Sequence, residues 1–138
     1  YKGVYIAVIM KMLDDIDKGN SPTIIGDGSE AFDFIAVEDC AMANICAMKS
    51  NISDENYNVG TGIRTSLKEL AELILKITNA NLPINYKKRN QNTFVKNRIG
   101  CPIKAQNDIN FISSINLEDG LQRLIDWRKQ NIFELEKI

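Results

Sequence analysis

The sequence predicts an α/β fold in which helices pack on short strands. Segments with apolar residues at helical spacing alternate with short apolar runs of the kind that form strands. Glycine turns separate several of these segments. This order fits a layered α/β or α+β protein and does not fit an all-helical bundle. The chain has 138 residues, which is enough for one domain or for part of a larger one.

The first half of the chain is organised around two short apolar runs, at residues 23–25 and 34–37. They flank the glycine turn at 26–28, so we expect two strands joined as a hairpin. Residues 4–18 have the apolar spacing of a helix and precede these runs. A second predicted helix, over residues 40–49, is apolar on nearly every side. We therefore expect neighbouring elements to cover it on more than one face.

The second half begins with a predicted strand at residues 57–59 and continues with the clearest helix of the chain. Ser66 and Glu69 have the spacing of a capping box, and an apolar stripe follows until Asn79 or Asn81 ends the helix. The remaining predicted elements are a strand at 84–86, a short helix at 102–108, an extended segment at 111–115 and a last helix capped by Asn116.

The composition argues against several classes of protein. A formal net charge of −1 gives no field that would attract nucleic acid or an anionic membrane. No apolar run approaches the roughly 20 residues that span a bilayer. Histidine, the commonest general base and metal ligand, is absent. The three cysteines are odd in number and lack metal-ligand spacing, so we expect reduced, buried thiols in a cytoplasmic protein.

Two glycine motifs have the spacing of a dinucleotide-binding loop but are better explained as turns. The motif at residues 26–28 precedes a predicted strand, whereas a phosphate-binding loop leads into a helix. The motif at 60–62 lacks the third glycine and the acidic residue that should follow on a second strand. Asp33 and Asp39 are expected to be turn or cap residues, because no histidine or metal-ligand spacing accompanies them.

A basic segment late in the chain is the best candidate for a binding site. Five cations lie within twelve residues and are separated by asparagine and glutamine rather than by acids: Lys87, Lys88, Arg89, Lys96 and Arg98. The planar fork of arginine suits bidentate binding of phosphate. A solvated charged loop explains the same composition, so both interpretations stay open at this point.

Four motifs, in this order, resemble the C-terminal part of NAD-dependent nucleotide-sugar epimerases and dehydratases. These enzymes are extended short-chain dehydrogenase/reductases similar to UDP-glucose 4-epimerase. The motifs are Pro22-Thr-Ile-Ile-Gly-Asp-Gly28, Asp33-Phe-Ile-Ala-Val-Glu-Asp39, Tyr57-Asn-Val-Gly-Thr-Gly62 and Thr65-Ser-Leu-Lys-Glu-Leu70. The resemblance implies that residues 1–138 form the C-terminal, nucleotide-sugar-binding part of an extended Rossmann-type protein.

The resemblance also implies where the chemistry lies. In that family an N-terminal domain carries the glycine-rich NAD site and a Tyr-x-x-x-Lys catalytic pair, and this sequence contains no Tyr-x-x-x-Lys. The chain is therefore expected to bind NAD mainly through residues outside it, and to be inactive alone. The implied partners are a nucleotide-diphosphate sugar, the N-terminal part of the same protein and a second copy in a homodimer. A non-enzymatic α/β binding or assembly module remains the alternative.

Several site residues carry over by resemblance. Thr23 and Ile25 match positions that line the nucleotide base, and Phe34 matches an aromatic residue at the same site. Arg89 matches an arginine that binds the diphosphate.

Two positions depart from the family pattern. Phe32 stands where a second phosphate-binding arginine is often found, and Asn92 stands where aspartate is common. Arg98 is the candidate that would replace the charge missing at Phe32. Asn92 and Arg98 therefore complete the predicted set of substrate-binding residues.

Overall fold

The computed structural model describes residues 7–89 and 96–131 as an α/β arrangement of helices and short strands, as predicted. The helices are α1 (Val8–Asp17), α2 (Val37–Lys49), α3 (Leu67–Thr78), α4 (Ile103–Ile109) and α5 (Leu117–Gln130). The strands are β1 (Thr23–Ile25), β2 (Ala31–Phe32), β3 (Thr65–Ser66), β4 (Asn85–Lys87) and β5 (Asn97–Arg98).

The strands form two small sheets, and this arrangement shows that the predicted hairpin is wrong. β1 pairs with β4 in parallel, whereas β2 lies between β3, which is antiparallel to it, and β5, which is parallel. Gly26 and Gly28 do have the positive φ angles (109° and 81°) of a glycine turn. The Gly26 amide still belongs to the first sheet, since it extends the β1–β4 ladder by donating to the Lys87 carbonyl at 2.8 Å. After the turn, the chain enters β2 in the other sheet.

Two other strand predictions are wrong for a common reason. Residues 34–36 are not a strand, and Val37 already begins α2, three residues before the predicted start. Residues 57–59 are not a strand either. A strand requires a neighbouring ladder, and in the described part of the chain neither segment pairs with another strand.

The helix ends follow the predicted capping chemistry closely. The Ser66 hydroxyl accepts from the Glu69 amide at 3.1 Å, and the Glu69 carboxylate accepts from the Ser66 amide at 2.7 Å. Asn79, with φ of 55°, ends α3 in the left-handed conformation. The Asn116 side chain caps α5 by accepting from the Asp119 amide at 2.9 Å. The predicted start of the first helix, at residues 4–6, lies outside the described residues.

Helix α3 is the centre of the main hydrophobic core. Leu70, Ala71 and Ile74 are completely buried, and they pack between residues of α1, β1 and α5. The core comprises Met12, Leu13, Ile24, Leu67, Leu70, Ala71, Ile74, Leu121 and Ile125. A second, smaller cluster lies between α2 and α4 and comprises Ala43, Ala105, Ile109 and Phe111.

Helix α2 is much less covered than its composition predicts. It buries only Asp39 and Ala43. Val37 and Met48 are 76% and 84% exposed, so the expectation of cover on more than one face is wrong for the described residues. Among the described residues, the main packing partner of α2 is the short helix α4, which covers only one side of it.

The three cysteines differ in their exposure to solvent. All three cysteines are free thiols; Cys40 and Cys46 are partly buried. Cys101 is exposed beside the start of α4, so the prediction of buried thiols is wrong there.

Within residues 7–89 and 96–131, no helix is both long and apolar enough to cross a membrane.

Candidate functional site

The glycine turn after β1 is fixed on both sides by hydrogen bonds. The Asp27 carboxylate accepts from the amide and the hydroxyl of Ser29, at 2.9 and 2.6 Å. These two bonds hold the pKa of Asp27 below its ordinary value, and the bond from the Ser29 hydroxyl has the larger effect. The Gly28 carbonyl accepts from the amide of Lys68, on the first turn of α3, at 3.1 Å. The turn is therefore a rigid connection between β1 and the main core.

Arg89 lies just after β4 and places its guanidinium against this turn. Its Nη1 and Nη2 atoms donate to the two carboxylate oxygens of Glu30, and Nη2 also donates to the Ile25 carbonyl at 2.9 Å. The side chains of Arg89 and Glu30 are only 28% and 14% exposed. The hydrogen bonds that Arg89 donates to the Glu30 carboxylate raise the pKa of Arg89 and so favour the charged guanidinium. A solvated loop is therefore the wrong interpretation for Arg89.

Gly26 lies against the guanidinium of Arg89. A Cβ atom built on Gly26 would lie 3.6 Å from Nη2 of Arg89, so the glycine packs against the guanidinium. Its φ of 109° is also a conformation that residues with side chains rarely adopt.

The structure brings together two of the predicted site residues, Ile25 and Arg89, at the end of β1. Thr23 and Ile25 lie on the same side of the strand, because Ile24 between them points into the core and is 1% exposed. Ile25 is 47% exposed. This edge therefore offers apolar surface beside a fixed positive charge.

Two other predicted residues, Phe34 and Arg98, lie around Phe32. Arg98 stands opposite Phe32 in the β2–β5 register, so both project to the same side of the sheet. The rings of Phe32 and Phe34 are 6.1 Å apart. Asn92 lies outside the described residues. The predicted substrate-binding residues thus form one group at β1 and another at β2.

Phe34 also lines an apolar groove between α2 and α5, with a volume of about 640 Å³. Leu117, Leu124 and Trp127 form the α5 wall of this groove. Trp127 is 47% exposed.

The sequence interpretation missed the partners of the site residues. It did not identify Glu30, and it treated Asp33 only as a turn residue. The Asp33 carboxylate accepts from the Thr61 amide at 3.0 Å, the Thr61 hydroxyl at 2.5 Å and the Gly62 amide at 2.9 Å. A Cβ on Gly60 would lie 2.5 Å from Asp33, which explains this glycine. Asp33 and Thr61 are 28 positions apart in the sequence, and a contact between such distant positions leaves no periodic pattern.

Neither glycine motif fits the phosphate-binding loop of an NAD site. The amides at 61 and 62 face the Asp33 carboxylate, so they cannot also cradle phosphate. The turn at 26–28 leads to β2 rather than to a helix. In addition, the described residues contain no group of three or more cysteine or acidic side chains that could hold a metal ion.

Comparison with known sequences connects this chain to sugar-modifying enzymes. Residues 2–60 match the NAD dependent epimerase/dehydratase family. A Methanocaldococcus jannaschii protein that bears the name UDP-glucose 4-epimerase is 34% identical over 124 residues, which are 90% of this chain and 39% of that protein. UDP-glucuronate 4-epimerase of Thermodesulfobacterium geofontis is 29% identical over 119 residues, or 83% of this chain and 35% of that protein.

Solved structures agree with the sequence comparison. UDP-glucose 4-epimerase of Thermotoga maritima, determined with UDP-glucose, has a TM-score of 0.84 at 26% identity and covers 91% of this chain and 40% of its own. UDP-N-acetylglucosamine 4-epimerase of Methanobrevibacter ruminantium, determined with UDP-N-acetylmuramic acid, has a TM-score of 0.81 at 28% identity, with 94% and 41% covered. The resemblance to NAD-dependent epimerases and dehydratases, and the Rossmann-type α/β class, are confirmed. The chain spans about two fifths of the length of these relatives.

Proposed function

We propose that this chain, which resembles the NAD-dependent epimerases and dehydratases, is the nucleotide-sugar-binding part of a longer enzyme of that kind. NAD would be held mainly by residues outside the chain, since neither glycine motif of this chain fits a dinucleotide-binding loop. The chain's own contribution would be to hold the nucleotide diphosphate. Binding energy from this remote group would then position the sugar for a reaction elsewhere in the protein.

The observation that carries this proposal is the fixed guanidinium of Arg89 at the end of β1. Arginine is the side chain best suited to phosphate, because its planar donors match two oxygens at once. Arg89 is only 28% exposed and lies against the glycine turn, so its position is fixed. Thr23 and Ile25 would contact the base on the same edge of β1.

The second group of residues would serve the same ligand. Phe34 would add an aromatic surface, and Arg98 would supply a second positive charge on the side of the sheet where Phe32 supplies none. Asn92, by its position in the sequence, would bind next to Arg89. These roles remain proposals that substitution can test.

The exposed apolar face of α2, formed by Val37, Met42, Ile45 and Met48, supports the other part of the proposal. These side chains are between 41% and 84% exposed. We propose that the N-terminal part of the full enzyme covers this face, since the relatives are more than twice as long as this chain. Without that cover, the face favours self-association of the chain.

Substitution of Arg89 tests the proposal in a full-length enzyme that contains this chain. Arg89→Ala should raise the Michaelis constant for the UDP-sugar by about ten- to a hundredfold, the loss expected for a charge-assisted hydrogen bond. Arg89→Lys should recover only part of this loss, because the ammonium group of lysine lacks the planar pair of donors that binds two oxygens at once. Binding of NAD should be unchanged. Steady-state kinetics and NAD titration provide these measurements.

The matched control is Arg123→Ala, which removes a cation paired with Glu38 at 3.7 Å on the exposed rim between α2 and α5. It should leave the Michaelis constant unchanged. A change of less than about twofold for Arg89→Ala, in a protein whose melting temperature is unaffected, would contradict the assignment. In that case Arg98 becomes the residue to test.

A further inference from the structure

Three N–H donors of Arg89 are bonded to other described residues of the protein. A guanidinium has five N–H donors and two edges at which two parallel donors can hold one anion. One of these edges, formed by Nη1 and Nη2, is occupied by the Glu30 carboxylate. On the other edge, formed by Nε and Nη2, the Nη2 donor is occupied by the Ile25 carbonyl. The two remaining donors are not adjacent, so neither edge is free to bind phosphate in a bidentate manner.

We infer that Glu30 competes with the phosphate for Arg89. In the free protein the Glu30 carboxylate binds Nη1 and Nη2 of Arg89, and these two bonds must break when the diphosphate binds. This inference rests on the proposed function and adds a residue that sets the affinity. Glu30 suits this role because its carbonyl accepts from the Leu67 amide at 2.8 Å, which fixes its backbone while its side chain reaches Arg89.

The Ile25 carbonyl plays a different part in the same arrangement. Its bond to Nη2 orients the guanidinium and does not depend on Glu30. If the Glu30 charge is removed, Arg89 should therefore stay in place with one edge open and its charge uncompensated. A part-buried cation without its partner binds an external anion more tightly than one that is already neutralised.

The experiment is a calorimetric titration of the 138-residue chain with UDP. Glu30→Gln should lower the dissociation constant for UDP by about tenfold relative to the unsubstituted chain, the effect of about one charge-assisted hydrogen bond. The matched control is Glu118→Gln, which removes the same charge from an exposed pair with Lys76 at 2.8 Å. This control should leave the affinity for UDP unchanged. The double variant Glu30→Gln/Arg89→Ala should lose the tighter binding of UDP that Glu30→Gln produces.

The outcomes separate the two hypotheses. If UDP binds the unsubstituted chain and Glu30→Gln binds it no more tightly, the inference is overturned and the proposed function stands. The same holds if the double variant keeps the gain. If neither chain binds UDP, GDP or dTDP at millimolar concentration, the proposed function fails and the inference fails with it.

A second measurement needs no substitution, so it still applies if Glu30→Gln does not fold. In the unsubstituted, ¹³C-labelled chain, the side-chain carboxylate resonance of Glu30 should move as UDP is added, and the Nε–H resonance of Arg89 should move with it. Saturable binding of UDP that leaves the Glu30 resonance in place would overturn the inference.

Discussion

Helices α2 and α3 are of similar length, but they are held in the fold by different forces. α3 has a complete capping box and buries Leu67, Leu70, Ala71 and Ile74 in the main core. α2 begins after Ala36 with no side-chain cap, and the residues it buries are Asp39 and Ala43. The apolar side chains of α3 are buried on one face, whereas Val37, Met42, Ile45 and Met48 of α2 are between 41% and 84% exposed.

The difference shows that apolar content alone does not place a helix. α3 is attached by apolar burial, which is worth roughly 1.5–3 kcal/mol for each large side chain. α2 is attached at its first turn by one carboxylate: Asp39 accepts from the amides of Ser114 and Ile115, each at 3.1 Å, and from the Ser114 hydroxyl at 2.9 Å. The apolar face of α2 is therefore available to another surface.

The largest expected effect comes from truncating the buried face of α3. Leu70→Ala should lower the free energy of unfolding by about 2–5 kcal/mol, because Leu70 is completely buried and its removal leaves a cavity. The comparison variant Met48→Ala, on the exposed face of α2, should change the free energy of unfolding by less than about 0.5 kcal/mol. Urea denaturation of both variants measures the difference. Equal losses would show that α2 is packed as tightly as α3.

A smaller effect is expected at Asp39. Asp39→Asn should cost about 1.5–3 kcal/mol at neutral pH, since the bonds to Ser114 and Ile115 lose their charge assistance. Burial pushes the pKa of Asp39 up, but the amides of Ser114 and Ile115 and the Ser114 hydroxyl outweigh burial and keep this pKa below its ordinary value. The ionised carboxylate therefore stabilises the fold above the unfolded-state pKa of about 3.9, and this stabilisation is lost as the pH falls through the lowered pKa.

Denaturation as a function of pH checks the sign of this effect. The gap in stability between the unsubstituted chain and Asp39→Asn should be full above about pH 4 and should close on acidification. The exposed Asp126→Asn, on α5, is the control and should show little gap at any pH. A gap for Asp39→Asn that is the same at pH 7 and at strongly acidic pH would contradict the role of the charge.

The smallest expected effect on stability, and the most informative on assembly, comes from a charge on the α2 face. Met48→Lys should leave the free energy of unfolding within about 0.5 kcal/mol, because Met48 is 84% exposed. It should reduce the self-association that we expect of the chain alone. Light scattering across a concentration series measures this. If the unsubstituted chain is monomeric at high concentration, the exposed face does not drive association.

The local features of the fold could be predicted, and so could the residue types of the candidate site. The capping box of Ser66, the end of α3 at Asn79 and the positive φ angles at Gly26 and Gly28 depend on residues within a few positions of one another. The family resemblance depends on motifs that are also local. Arg89 could therefore be selected as a candidate before its surroundings were known.

Only the tertiary structure decided which strands pair and which charges meet. The β1–β4 pairing spans about 60 residues and replaced the expected hairpin. Arg89 and Glu30, 59 residues apart, come together because that pairing brings the end of β4 to the turn after β1. Such contacts depend on how the apolar faces of distant helices pack and on which backbone groups still lack a partner, and neither is encoded in the spacing of nearby residues. The sequence by itself thus determined the capped helices and the glycine turns and selected Arg89 as a candidate, whereas long-range packing determined the sheets and the internal partner of Arg89.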